Sequence, residues 1–187
     1  NPNGPAVAYL DRTEASVKLQ TNKLALLKKL DQRESERLHH ADQIESAISN
    51  YELAYRMQSV VPQITNLKQE TAETQKMYGL EEKSKGTATF GRQCLLARRL
   101  IERGVRFIEL TCPAVGHDRW DQHGGLSKGH PDNARAVDQP IGALLADLKQ
   151  RDLLKDTLIV WSGEFGRTPF AQGNNGRDHN PWGFSLW

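Results

Sequence analysis

The run Thr157-Leu158-Ile159-Val160-Trp161 is short, almost continuously apolar, and opens directly onto the polar loop Ser162-Gly163-Glu164-Phe165-Gly166-Arg167-Thr168-Pro169. Such a run predicts a strand of a parallel sheet, covered on both faces. Upstream, Val105-Arg106-Phe107-Ile108-Glu109-Leu110 alternates and predicts a second strand. Between them, residues 133–151 carry Val137, Ile141, Leu144, Leu145 and Leu148 at helical spacing, with Pro140 marking a first turn or a kink. Residues 90–103 predict an amphipathic helix through Leu95, Leu96 and Leu100, ended by Gly104. The order helix–strand–loop–helix–strand–loop predicts an α/β unit with a right-handed parallel crossover. Two parallel strands do not make a stable sheet, so further strands are expected outside this chain. The absence of an initiator methionine at Asn1 and the apolar stretch at Trp187 fit that expectation of an interior piece.

The chain changes character near residue 88, and the sequence predicts two regions, 1–88 helical and 89–187 α/β. In the first, Asp11 and Glu14 have the spacing of a reciprocal helix cap. Leu24, Leu27 and Leu30 follow at three-residue steps, and Ile44, Ile48, Tyr51 and Tyr55 make a single apolar stripe. Pro62 is expected to end the second helix, and Gly79 to cap a third over 68–78. The stripes are narrow and the heptad register fails at Asp31, which argues for a helical hairpin rather than a long coiled coil. A partner-binding arm or a lid is the sharper alternative. The pair His39-His40 falls in the interhelical turn, where neighbours point about 100° apart and a solvated turn is expected.

Charge and composition narrow the function. With 37% hydrophobic and 26% charged residues, wholesale disorder is excluded. A formal charge of +2 gives no basis for nucleic-acid binding. No apolar run approaches the roughly 20 residues that span a bilayer. Cys94 and Cys112 fit no metal or redox spacing, and Cys94 beside Leu95 reads as a buried thiol.

In open α/β sheets, ligands bind beyond the carboxyl ends of the strands, and both loops there carry chemistry. The first runs His117-Asp118-Arg119-Trp120-Asp121-Gln122-His123-Gly124-Gly125, and the second from Glu164 and Arg167 to Gly176-Arg177-Asp178-His179. Imidazole with carboxylate is the ligand set of zinc or manganese, so Asp121, His123, Glu164, Asp178 and His179 are the candidate metal ligands, His117 and Asp118 weaker ones. Arg167 and Arg177 suit a tetrahedral oxyanion through bidentate hydrogen bonds. Each has a plainer reading: Glu164 as a cap or an Arg167 partner, the Asp121 loop as a side-chain-stabilised turn, the arginines as surface charges. His130, before Pro131, reads as a helix-entry residue.

Trp120-Asp121-Gln122-His123-Gly124-Gly125, Leu158 to Pro169 and Gly176-Arg177-Asp178-His179 resemble the bacterial "domain of unknown function 1501" family, most closely over residues 90–187. That resemblance implies membership of the alkaline phosphatase and sulfatase-like superfamily, with a mostly parallel sheet between helices and metals at the strand ends. It implies Asp121 and His123 at the first loop, Glu164 in place of a strand-end Asp, and His179 as a later histidine ligand. Phe165 stands where that pattern has a histidine, and the nucleophilic Ser or Thr is expected upstream of Asn1.

The expected function of the parent protein is hydrolysis of a small phosphate or sulfate ester with a divalent metal, zinc or manganese, and this chain alone is expected to be inactive. The alternative is a non-catalytic protein that keeps the fold and recognises an anionic ligand or an envelope partner. A weaker one makes the helical half an interaction module. The resemblance alone suggests an exported, periplasmic protein, and the oligomeric state is open.

Overall fold

The computed structural model describes residues 10–38, 42–113 and 119–187. His39 and His40, expected in a solvated turn, and His117 and Asp118, the weaker ligand candidates, lie outside those residues. The chain divides into two compact units, residues 1–66 and 67–187.

The first unit is a pair of helices. Helix α1 (Val17–Arg37) is capped by Ser16, whose hydroxyl accepts from the Leu19 amide, rather than by Asp11. Helix α2 (Asp42–Thr65) does not stop at Pro62; it continues one turn, and Thr65 returns its hydroxyl to the Val61 carbonyl. A proline removes one backbone donor, and one lost bond near a helix end is tolerable. Gln20 pairs with Gln58, Lys28 with Glu52, and Ser35 with Glu45. Partners fall in number on α2 as they rise on α1, so the helices run antiparallel. Leu24, Ile44 and Ile48 are half-buried, whereas Tyr51 is 69% exposed, so the expected stripe is only partly used.

The second unit is built on two long helices, α4 (Lys85–Ile101) and α5 (Leu126–Gln150), preceded by the short α3 (Ala72–Met77). Gly79 and Gly104, at φ 71° and 78°, follow α3 and α4 in the left-handed conformation that glycine adopts without a Cβ penalty. Tyr78, Leu80, Phe90, Cys94, Leu95, Ala136, Val137, Ala143, Leu144 and Leu148 form the core. Burial pushes the Cys94 thiol up to about 12, as expected of an inert packing residue. Arg98, 2% exposed, crosses this core and pairs with Glu70 at 2.6 Å, Glu102 at 2.7 Å and Asp147 at 3.0 Å. The Tyr78 hydroxyl donates to Asp147, also at 3.0 Å. One guanidinium thus ties α4 to α5 and to the turn before α3.

The described residues form no parallel sheet. Among the described residues the sheet consists of β1 (Gly166–Arg167) and β2 (His179–Asn180), antiparallel, with Gly166 opposite Asn180 and Arg167 opposite His179. The mostly parallel, alkaline-phosphatase-like α/β core inferred above is therefore corrected to a mainly helical fold with one short ladder. The two apolar runs form no ladder with each other. Ile159, Trp161 and Leu110 lie against the helical core on one side. Phe107 at 83% and Leu158 at 89% exposure face away from it. A short apolar run specifies an extended segment with one packed face, and only backbone partners turn that into a sheet. Trp161 does exchange both backbone hydrogen bonds with Trp187, at 2.6 and 3.0 Å.

Helix α5 begins at Leu126, seven residues before the expected start. Its N-cap, Gly125, is left-handed, and Pro131 lies inside the helix. The Leu126 amide donates to the Asn175 carbonyl, and Asn175 also donates to the Ser127 hydroxyl. These bonds fasten the first turn of α5 to the loop before β2.

Candidate metal centre and adjoining pocket

Three side chains from two distant segments meet at one point. Asp121 and His123 come from the loop before α5, and His179 from β2. The Asp121 Oδ1 lies 3.0 Å from His123 Nε2 and 3.0 Å from His179 Nε2, and the two Nε2 atoms are 3.1 Å apart. An ion with metal–nitrogen bonds of about 2.0–2.1 Å places neighbouring tetrahedral ligands about 3.3 Å apart. The triangle is close to that size.

Backbone packing brings the segments together. The Arg177 amide donates to the Gln122 carbonyl at 3.0 Å, laying the β2 arm along the Asp121 loop. Gly176 permits the approach, since a Cβ there would sit 2.0 Å from the His123 carbonyl oxygen. The Gln172–Gly176 bridge and the Thr168–Asp178 bonds hold the intervening turn.

The tautomer of His123 is fixed from outside. Its Nδ1 is 2.7 Å from Gln172 Oε1, so a neutral ring donates there and turns the Nε2 lone pair toward Asp121 and His179. An acceptor aimed at a carboxylate oxygen is unfavourable unless a cation or a proton lies between them. Such outer support is what metal-ligating histidines commonly have. Hydrogen bonding from His179, and then from Arg167, holds the Asp121 carboxyl down to about 2, so it stays an anion throughout the ordinary pH range.

The other candidates surround this triangle. Asp178 Oδ1 lies 3.8 Å from His123 Nδ1 and accepts the His179 amide at 2.8 Å, which places it beside the triangle rather than in it. Glu164 is turned to the Arg167 guanidinium at 2.7 Å and stands outside the triangle. Arg167 also pairs with Asp121, so one guanidinium joins both carboxylates. Phe165 packs its edge on His179, ring centres 4.6 Å apart. The residue that departs from the resemblance thus seats a histidine.

Beside the triangle lies a cavity of about 220 Å³ lined by Trp120, Gln122, Leu126, His130, Arg167, Thr168 and Arg177. His130 belongs to it, contrary to its reading as a mere helix-entry residue. Its Nδ1 meets Gln122 Oε1, and Trp120 packs edge-on against its ring at 5.3 Å. Burial, with the charges of Arg167 and Arg177, lowers its pKa from the usual imidazole value. Nothing in local sequence spacing signals this role, because Gln122 reaches His130 only through the fold. Gln122 itself is buried, seated where a Cβ on Gly129 would overlap its amide.

A family model described as a protein of unknown function (DUF1501) matches residues 1–187. No curated protein and no solved structure matches the chain. The chain belongs to the DUF1501 family.

Proposed function

We propose that Asp121, His123 and His179 bind a single divalent cation, zinc or manganese, in the service of hydrolysing a small phosphate or sulfate ester. The observation that carries this is the triangle of ligand atoms with a lone pair directed into it by Gln172. Two imidazoles and one carboxylate suit either ion. A bound ion would act as a Lewis acid on an ester oxygen and lower the pKa of a coordinated water. Arg167 and Arg177 provide the donors for the anionic oxygens. The superfamily that the loops' resemblance implies, phosphatase and sulfatase-like, has the same ester chemistry. That resemblance rests on these residues and not on a sheet.

Titration of the purified chain with manganese or zinc tests the proposal. One bound ion is expected, weakened at least tenfold in His123→Ala and His179→Ala and little changed in Glu164→Ala. Turnover of a chromogenic phosphate or sulfate monoester, assayed on the full-length protein, should require the same histidines. Failure to bind either ion would overturn the reading. Metal binding without turnover of either ester by the full-length protein would reject hydrolysis and leave a metal-binding protein.

A further inference from the structure

We infer that the cavity beside the triangle is a subsite for a phosphate monoester that still carries one proton, with His130 as the acceptor that recognises its P–O–H group. This rests on the ester reading above and chooses between the two esters it leaves open.

The argument is one of donors and acceptors. Arg167 and Arg177 line the cavity, and a guanidinium donates only. A sulfate ester and a proton-bearing phosphate monoester are both monoanions of similar size, so the arginines alone do not separate them. His130 separates them. Its Nδ1 is taken by Gln122 Oε1, a carbonyl oxygen that accepts, so a neutral ring carries its proton there. The other ring nitrogen, Nε2, then carries the lone pair, on a side chain that lines the cavity. The neutral form is favoured by burial and by the two arginine charges. Trp120 holds the ring edge-on and supplies no competing acceptor, while its own indole N–H is given to the Cys112 sulfur. The Thr168 hydroxyl donates to the Phe170 carbonyl and accepts from the Asp178 amide, so it too is committed.

A lone pair fixed in a donor-lined cavity repels a bare oxyanion oxygen and attracts a hydroxyl. At neutral pH, sulfate and its esters carry no proton, whereas a phosphate monoester with a second pKa near 6 carries one in part of its population. Inorganic phosphate carries at least one throughout. The pairing needs no metal, and it selects by an unpaired polar contact, which discriminates more strongly than a change of size.

The test is calorimetric titration of chelator-treated chain with inorganic phosphate and, separately, with sodium sulfate, at pH 7 and equal ionic strength. Removing metal ensures that any binding reports the cavity and not the triangle. Phosphate is expected to bind at least tenfold more tightly than sulfate. His130→Phe should remove that preference, and His130→Gln, which restores an acceptor, should recover part of it. Circular dichroism checks that each variant is folded, and the wild-type comparison stands even where a variant is not. Equal affinities, no phosphate binding, or a preference that survives in His130→Phe would overturn the subsite. Metal titration of the same wild-type chain reports separately on the triangle, so the two readings fail independently.

Discussion

Arg98 shows how a single side chain in this protein carries several obligations at once. It is buried and faces three carboxylates, so removing any one partner leaves charge behind in a poorly solvated place. Glu70 is the partner whose titration is most easily read. Burial acts to raise its pKa, but hydrogen bonds from Arg98 and Arg99 outweigh that and hold it below the ordinary value of 4.5. A carboxylate with a depressed folded-state pKa stabilises the fold at pH values above the unfolded-state pKa. That contribution disappears as pH falls through the folded-state value. Urea unfolding followed between pH 7 and pH 3 should therefore show stability falling below about pH 4.5. Glu70→Gln should be less stable at pH 7, by on the order of 1–3 kcal/mol for a charge-assisted bond, with a flatter acid limb. An acid limb as steep as wild type in that variant would show that other carboxylates govern the loss. His130 marks the opposite limit of legibility. Its neighbours in sequence, a glycine and a proline, speak only of a helix start, and its chemistry comes entirely from Gln122 and the two arginines across the cavity.

At the scale of elements, the sequence displays its helices well and its sheet badly, for one physical reason. Helical periodicity is a local consequence of burying one stripe, and α4 and α5 show it because their own residues face the core. A strand is completed by a partner distant in sequence, so an apolar run such as 157–161 announces extension without saying what pairs with it. The ladder that does form, Gly166–Arg167 with His179–Asn180, has no apolar alternation to announce it. The loops that carry the candidate site were legible for a different reason: imidazole, carboxylate and glycine are dense there, and that composition signals chemistry before geometry is known. Which of the five candidates converge was not legible, because Glu164 is drawn away by Arg167 and Asp178 by the His179 amide. The β2 arm should be the sensitive element. In Gly176→Ala the added carbon meets the His123 carbonyl, a backbone atom that has no flexible end to swing aside. The variant should lose manganese affinity at least tenfold while keeping the helical circular dichroism of α4 and α5. Unchanged affinity would mean that the arm and the Asp121 loop are not held together by this approach.

For the whole molecule, the division at residues 66 and 67 makes the effect of metal separable from the rest of the chain. All three candidate ligands belong to the unit of residues 67–187, and so do all four tryptophans, Trp120, Trp161, Trp182 and Trp187. Tryptophan fluorescence therefore follows the unfolding of one unit, while far-ultraviolet circular dichroism follows the helices of both. A ligand that binds the folded state stabilises it by RT ln(1 + [L]/Kd), about 2.7 kcal/mol at a hundredfold excess over Kd. For a unit of this size that amounts to a rise of several degrees in the fluorescence-detected midpoint. Manganese is the better probe, because zinc also favours the thiolates of an unfolded chain, and Cys94 becomes accessible there. The component of the dichroism signal contributed by α1 and α2 should stay where it was. His179→Ala should abolish the fluorescence shift without lowering the metal-free midpoint by a comparable amount, since the side chain is exposed. A shift that persists in His179→Ala, or one that moves the helical hairpin equally, would place the manganese outside the triangle.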